Sequence, residues 1–459
     1  MKLTVLGGGG VRAPYLAKTL ALQSKDVSIS EICLMDINEE KLNIYGRLAI
    51  AIAKMINPDL NIYTTSDAKL ALQDANYVIT TLRVGGDSSR VFDEKLAQHY
   101  KILGQETTGI GGFAMALRSI PVLKEYLDLA RKVSAKDVLF FNFTNPSGLV
   151  TQALINAGYD NVYGICDGPA SFMREVAHML DVDIMRFSAT CYGLNHLSFY
   201  RDFSVDGHDV SDTVRAHKNL FTDTEMKLFE HNTLSLLNKE LPNEYLYFFF
   251  NNKKIIQSIE TNGCARGETI ENINKRMLED LTTHQQATVE QQFDIFAKYL
   301  LERENSYFAI ESEGKRDNHY QALKLSEFIS APDTGGYSGI ALNIIRGLQG
   351  KTAYPMTILV KNNQSIRELQ PNDVVEITCD LIDKKIIPRC VDNIPPYQLH
   401  IIKTIKTFEN LTINAIEKHC KTSAIRALMI HPLINDYSIA EEILQTLLTE
   451  YKTYTGEWH

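Results

Sequence analysis

The chain of 459 residues is 44% hydrophobic and 22% charged, and 47 Lys and Arg against 56 Asp and Glu give a formal net charge of −9. That composition is a folded globular protein's; it excludes a disordered or collagen-like chain, and at roughly 150 residues per domain the length allows two or three domains. The acidic balance argues against a nucleic-acid or membrane-surface partner, so an anionic ligand has to be held by a few placed groups.

In chain order, the apolar run Leu3–Leu6 ends in four glycines, Gly7 to Gly10, and a helical pattern follows from Pro14 to Leu22. A second strand, Glu31–Met35, ends at Asp36, and Glu39–Met55 has apolar residues at helical spacing. Tyr77–Thr81 and Val138–Asn142 repeat the design of an apolar strand followed by a polar loop. Strands alternating with helical segments predict a parallel, doubly wound sheet. Beyond it, helical patterns near 168–181, 213–240, 268–305 and 335–349 surround strand-like pieces at 186–193, 198–205, 355–361 and 373–382, and the last 60 residues read as mostly helical. The expectation is an α/β protein. A Rossmann-type doubly wound parallel sheet occupies residues 1–165, and an α+β catalytic domain, 166–459, packs intimately on it with no flexible linker.

The seven cysteines are scattered and odd in number, and the first residues read as a strand, not as the apolar core of a signal peptide. A reducing cytoplasm is therefore expected. No apolar run approaches the roughly 18 to 20 residues that cross a bilayer.

Gly7, Gly8, Gly9, Gly10, Val11 and Arg12 lie between a strand and a helix, and Gly8-x-Gly10-x-x-Ala13 fits the dinucleotide fingerprint. Such a turn brings backbone against a pyrophosphate at a helix N-terminus, and an acid ending the next strand, here Asp36, hydrogen-bonds the adenosine ribose of NAD. Ligands of doubly wound sheets gather beyond the carboxyl ends of the strands. There this chain carries Leu82-Arg83-Val84-Gly85-Gly86 with Arg90, Gly104-Gln105-Glu106-Thr107-Thr108-Gly109, and Asn142-Phe143-Thr144-Asn145-Pro146. Three polar, glycine-rich loops at one edge predict a pocket. Cys166 and His196 each end an apolar strand beside Asp or Asn. Singly each reads as core; together they have the soft and borderline donors of a divalent metal site, and spacing leaves both readings open.

Gly7–Arg12, Gln105-Glu-Thr-Thr-Gly-Ile-Gly-Gly-Phe, Asn142-Phe-Thr-Asn-Pro-Ser-Gly, Ile165-Cys-Asp, Gly193-Leu-Asn-His-Leu-Ser, Tyr245-Leu-Tyr-Phe-Phe, Arg266-Gly-Glu and His431-Pro-Leu occur in order along the chain. In this the sequence resembles glycoside hydrolase family 4, the NAD- and metal-dependent glycosidases, and the stretch from Ala116 resembles the 6-phospho-β-glucosidase branch. The resemblance implies Cys166 and His196 as ligands of a divalent metal, usually Mn²⁺, and Tyr245 as the base. It implies Glu106 as the acid that raises the basicity of Tyr245, and Arg90, Asn145 and Arg266 as substrate-binding residues. Asp167 falls at the proton-donor position, and Arg83 joins the glycine loop and Asp36 in cofactor binding. The implied partner is a sugar phosphate, and the implied assembly is a homodimer or homotetramer.

Two departures stand out. Gly10 replaces the usual Ser, and Asp167 stands where β-acting relatives commonly have Asn. The second favours, as alternatives, a 6-phospho-α-glucosidase or another hexosidase or hexuronidase of the family. A 2-hydroxyacid dehydrogenase, or a non-catalytic NAD sensor, would share the N-terminal half but need neither Cys166 nor Tyr245.

Overall fold

The computed structural model describes residues 1–314, 321–332 and 336–459. Six parallel strands build its first half, in the spatial order Val162–Gly164, Leu139–Asn142, Tyr77–Thr80, Lys2–Leu6, Glu31–Met35, Asn61–Thr65. Helices cover both faces, so these strands are apolar almost throughout; Val5, Leu34, Ile79 and Phe141 are fully buried. Register aligns their carboxyl ends: Leu6 pairs with Met35 and Thr80, Thr80 with Asn142, and Asn142 with Gly164. Gly7, Asp36, Thr81, Phe143 and Ile165 therefore leave the sheet along one edge.

The same sheet continues into the second half. Met356–Lys361 runs antiparallel to Val162–Gly164 through the pair Leu359–Gly164. Beyond it lie Val374–Ile382, Phe187–Leu194 and Leu197–Val205, and with the short strands His208–Asp209, Leu241–Pro242 and Lys385–Pro388 the sheet has thirteen strands among the described residues. Asn195 and His196 form the tip of the hairpin between the last two strands, where Leu194 pairs with Leu197. His196 there has a φ of +62°, a conformation a non-glycine residue adopts only where its surroundings hold it.

Two expected helices are broken. Over 213–240 the chain forms only short pieces, Ser211–Ala216, Leu220–Asp223, a 3₁₀ turn Glu225–Leu228, and Thr233–Leu236. Thr224 is the reason for one break: its hydroxyl donates to Leu220 O at 2.6 Å and accepts from Met226 N–H at 3.2 Å, ending one segment and capping the next. Over 268–305 there are two helices, Arg266–Thr283 and Val289–Asn305, and a Thr288–Gln291 capping box starts the second. The helical region from Glu39 to Ile56 includes a π-helical turn, Leu42–Gly46. The helix expected over 335–349 is Gly336–Leu348, residue 335 lying outside the described residues. Helix Gly86–His99, helix Asn252–Asn262 and strand Asn61–Thr65 are additional to the sequence reading. Among the described residues no helix is long and apolar enough to cross a membrane.

Glu376 sits on the strand that bridges the halves, paired with Gly193. It is buried and accepts hydrogen bonds from Asn195 Nδ2 at 3.0 Å and Ser198 Oγ at 2.7 Å. Burial pushes its carboxyl up to about 7, against the two hydrogen bonds. A folded-state value above the unfolded one contributes stability at low pH and loses it as pH rises through about 7. Glu376→Gln, which cannot ionise, should therefore gain melting temperature relative to the parent between about pH 5 and about pH 8, by roughly a few degrees. Equal differences at both pH values, read by differential scanning calorimetry, would show that this carboxyl does not titrate with folding.

Candidate active site

The glycine loop and the strand ends enclose a cavity of about 1070 Å³, large enough for a dinucleotide. Its walls include Gly7, Gly8, Gly10, Val11, Arg12, Asp36, Arg83, Glu106 and Asn145. Gly7 has a φ of +93°, and a Cβ there would stand 2.6 Å from Thr81 O, so this turn tolerates no side chain. The Gly9 N–H donates to Asp36 Oδ2 at 3.2 Å, while Asp36 Oδ1 accepts from Asn38 N–H at 3.0 Å. The loop thus positions the acid that the sequence pairs with it. Arg12 reaches across the halves, with Nη2 3.2 Å from Glu304 and Nη1 3.9 Å from Asp167, the first residue of helix Asp167–Met179.

A chain of charges lies at one end of this cavity. Glu106 pairs with Arg83 and, at 2.8 Å, with Arg90 Nη1. Arg90 Nε is 2.7 Å from Glu94, and Glu94 accepts from Gly267 N–H, also at 2.7 Å, at the start of helix Arg266–Thr283. Burial alone would raise the carboxyl of Glu106, but Arg83 and Arg90 outweigh it and hold it at about 2. Arg266 lies with its guanidinium carbon 4.7 Å from the centre of the Tyr307 ring, and its buried Nε has no hydrogen-bond partner among the described residues. The buried Nε of Arg303, on a cavity wall, likewise lacks one. Burial, then the charges of Arg12 and Arg266, pushes Arg303 down to about 9. Guanidiniums that repel one another and carry unpartnered donors are groups whose charge and hydrogen-bonding capacity an anion would satisfy.

Next to this network, sheet register brings Cys166 and His196 together, with Sγ 3.7 Å from Nε2. His196 Nδ1 is 2.9 Å from Thr107 Oγ1. Tyr245 lies flat on the imidazole, ring centres 3.7 Å apart and planes at 7°. Its hydroxyl is 3.2 Å from that of Tyr307, which also donates to Glu244 Oε1 at 2.9 Å. Burial pushes His196 down to about 3, with Glu106 opposing, so the ring is neutral with a lone pair free for a metal. Burial, then Glu376 and Asp167, pushes the Cys166 thiol up, against the Gly168 N–H and the Asn195 amide. Burial, then Glu244, pushes the Tyr245 phenol above its ordinary range; Glu106 acts in the same direction but more weakly. Among the described residues no group of three or more His, Cys, Asp or Glu is arranged to hold a metal. Cys166 and His196 bring one sulfur and one nitrogen donor side by side.

The residues singled out in the sequence therefore fall into two connected groups. The glycine loop, Asp36, Arg83, Glu106 and Asn145 line the large cavity, and Cys166, His196 and Tyr245 cluster beside it. Arg90 lies buried behind Glu106, and Asp167 is tied to the first group through Arg12. Glu106 acts on Tyr245 in the expected direction, more weakly than Glu244, and is also paired with two guanidiniums. Sequence reasoning missed Arg303, Glu244 and Tyr307. It also missed Tyr337, which stacks on Phe143 with ring centres 4.3 Å apart. None belongs to a motif; only Glu244, next to Tyr245, carried a local signal.

Residues 2–182 match the model of family 4 glycosyl hydrolases, and residues 191–434 match the model of that family's C-terminal domain. The chain belongs to glycosyl hydrolase family 4. Among family 4 relatives, it is 31% identical over 456 residues to the 6-phospho-beta-glucosidase BglT of Thermotoga maritima, covering 99% of each chain. It is 28% identical over 473 residues to a probable 6-phospho-beta-glucosidase of Bacillus subtilis, covering 100% of this chain and 98% of the relative. A solved structure of the Thermotoga maritima 6-phospho-beta glucosidase with manganese, NAD⁺ and glucose-6-phosphate superposes with a TM-score of 0.80. It is 30% identical, and each chain is covered fully (100%).

The buried pairs of Arg90 generate a stability prediction. Arg90→Met leaves Glu94 and Glu106 short of a counter-charge, and removing one partner of a buried network costs about 3–5 kcal/mol. Urea unfolding should show that loss. Arg83→Met, whose side chain keeps 32% of its surface exposed, should lose less. Equal losses would mean that burial does not set the worth of these pairs.

Proposed function

We propose that the chain is a 6-phospho-β-glucosidase that uses NAD and a divalent metal, most suitably Mn²⁺, to hydrolyse phosphorylated β-glucosides. The observation that carries this reading is the close stack of Cys166, His196 and Tyr245 beside a dinucleotide-sized cavity and a cluster of guanidiniums. A thiol and a neutral imidazole suit a borderline divalent ion, and the two relatives above are by name a 6-phospho-beta-glucosidase and a probable 6-phospho-beta-glucosidase. Residues 1–165 form the NAD-binding part in this proposal, and 166–459 the metal- and substrate-binding part.

When bound, NAD⁺ supplies a hydride acceptor for C3 of the sugar, and the metal supplies Lewis acidity at the neighbouring oxygens. The chain's own residues do the rest. Gly7–Arg12, Arg83 and Asp36 hold the dinucleotide. Arg266, with its unpaired Nε, and Arg90 hold the sugar phosphate, and Asn145 orients the ring. With C3 oxidised, the C2–H is acidic, and Tyr245 takes that proton. Asp167 protonates the departing oxygen at C1; water then adds at C1 as C2 takes a proton back, and the hydride returns to C3, so the turnover ends as a net hydrolysis. Glu106 keeps Arg83 and Arg90 in place and, with Glu244, makes Tyr245 the stronger base once its proton has left. We assign the enzyme to the cytoplasm, in keeping with seven free cysteines, and, from the family resemblance, to a homodimer or homotetramer.

A second reading, α-linked substrates, is favoured by one observation: Asp167 opens its helix within reach of Arg12, where a carboxyl can serve as proton donor. Paired α- and β-linked nitrophenyl glucoside 6-phosphates, assayed with NAD⁺ and Mn²⁺ in D₂O, separate the two. The expected result is cleavage of the β compound with deuterium at C2 of the product. Tyr245→Phe should slow it roughly 10²–10⁴-fold while NAD⁺ binding persists. Cleavage of the α compound alone would transfer the assignment to the second reading, and product free of deuterium would rule out C2 proton abstraction.

A further inference from the structure

The residues around His196 fix which of its nitrogens carries the proton. The turn that leads into helix Gly109–Val133 is closed by the bridges Gly104–Gly109 and Gln105–Thr108. Within it, Thr107 N–H is 2.7 Å from Gln105 Oε1. A backbone N–H can only donate, so the side-chain atom facing it is the amide oxygen; this settles the orientation of Gln105. The same oxygen lies 2.9 Å from Thr107 Oγ1. An amide oxygen can only accept, so the Thr107 hydroxyl spends its single hydrogen there. Its oxygen then has only lone pairs to offer His196 Nδ1, 2.9 Å away, and that contact is a hydrogen bond only if Nδ1 bears the hydrogen. In the neutral ring the lone pair is then on Nε2, the atom that faces Cys166 Sγ at 3.7 Å.

We propose that Thr107, oriented by Gln105, is the positioning residue that holds His196 in the Nδ1–H tautomer and so presents Nε2 to a divalent metal. The inference rests on the proposed metal-binding role of Cys166 and His196 and adds to it the polar chain that sets ligand geometry from behind. Outer partners of this kind are worth about 10–100-fold in metal affinity. Thr107 touches neither substrate nor cofactor in this scheme, and no sequence motif marks it apart from its neighbours Glu106 and Thr108.

The test is Mn²⁺ affinity, read from the electron paramagnetic resonance signal of the free ion, alongside NAD⁺ affinity by calorimetry. Thr107→Val keeps the shape of the side chain but cannot accept from Nδ1. It should weaken Mn²⁺ binding about 10–100-fold with NAD⁺ affinity unchanged, and Thr107→Ser should restore it. Gln105→Leu frees the Thr107 hydroxyl to donate to Nδ1, which drives the proton to Nε2, so Mn²⁺ binding should weaken there too. That variant serves as well if Thr107→Val does not fold. Wild-type Mn²⁺ affinity in Thr107→Val or in Gln105→Leu, while Cys166→Ser loses the ion, would overturn the relay and leave the metal reading standing. Full Mn²⁺ affinity in Cys166→Ser would overturn both. ¹⁵N spectra of the histidine-labelled protein should show the His196 hydrogen on Nδ1; a hydrogen on Nε2 would overturn the relay directly.

Discussion

The approach of Gly164 to Leu359 is the contact on which the geometry of the site depends. A Cβ at residue 164 would stand 2.7 Å from Leu359 Cβ and 2.6 Å from Thr151 Oγ1, so only glycine lets the antiparallel half close on the last parallel strand. Leu359–Gly164 is the pair that joins the two halves of the sheet, and it fixes the register of everything beyond it. Two residues past Gly164 the chain reaches Cys166. Beyond Met356–Lys361 comes Val374–Ile382, whose Glu376 pairs with Gly193, and the hairpin that Gly193 enters carries His196 at its tip. The thiol and the imidazole thus meet because of sheet register, and a slip at Gly164 would separate them.

The electrostatics of the cavity are local and run against the charge of the whole chain. A protein of net charge −9 gathers Arg12, Arg83, Arg90, Arg266 and Arg303 around one cavity and its walls. Glu94 and Glu106 neutralise part of that charge and are buried with it, which is what allows guanidiniums to sit away from water. The balance is left on Arg266 and Arg303, whose inner nitrogens are unpaired and whose charges repel each other. In the proposed function, a sugar phosphate held at Arg266 would gain charge-assisted hydrogen bonds in a region of low dielectric, where such bonds are strong. Bulk charge sets solubility and says little about this local cluster of guanidiniums.

How much of this could be read in the sequence depends on whether the signal is local. The glycine loop, Asp36 and the strand-end loops announce themselves because turn chemistry and apolar runs act over a few residues. The i,i+4 pair of Arg90 and Glu94 was also within local reach. The breaks in 213–240 were not, because Thr224 competes with the helix through a side-chain bond that apolar spacing does not report. Cys166 and His196 show only as ends of two strands, and the family resemblance, not their spacing, joined them. Arg303 lies on a helix rich in charged residues, and Glu376 in the middle of a strand. Their surroundings come from distant parts of the chain.

The three groups at the centre differ in what they need before they can act. His196 is already neutral, the form a metal ligand requires, because burial penalises its charged state. The same burial works against Cys166 and Tyr245, whose useful forms are anions. In the proposed reaction a divalent cation beside them would offset that penalty for both, as it does for any coordinated thiol or water, so one ion would prepare a ligand and a base together. Glu244 and Glu106 add negative potential at the phenol, which raises the affinity of the phenolate for a proton once it has formed. A base that is hard to create and strong when created suits abstraction from carbon, where a weak base would stall. The apolar packing that makes the phenol reluctant to ionise is therefore part of what makes it effective.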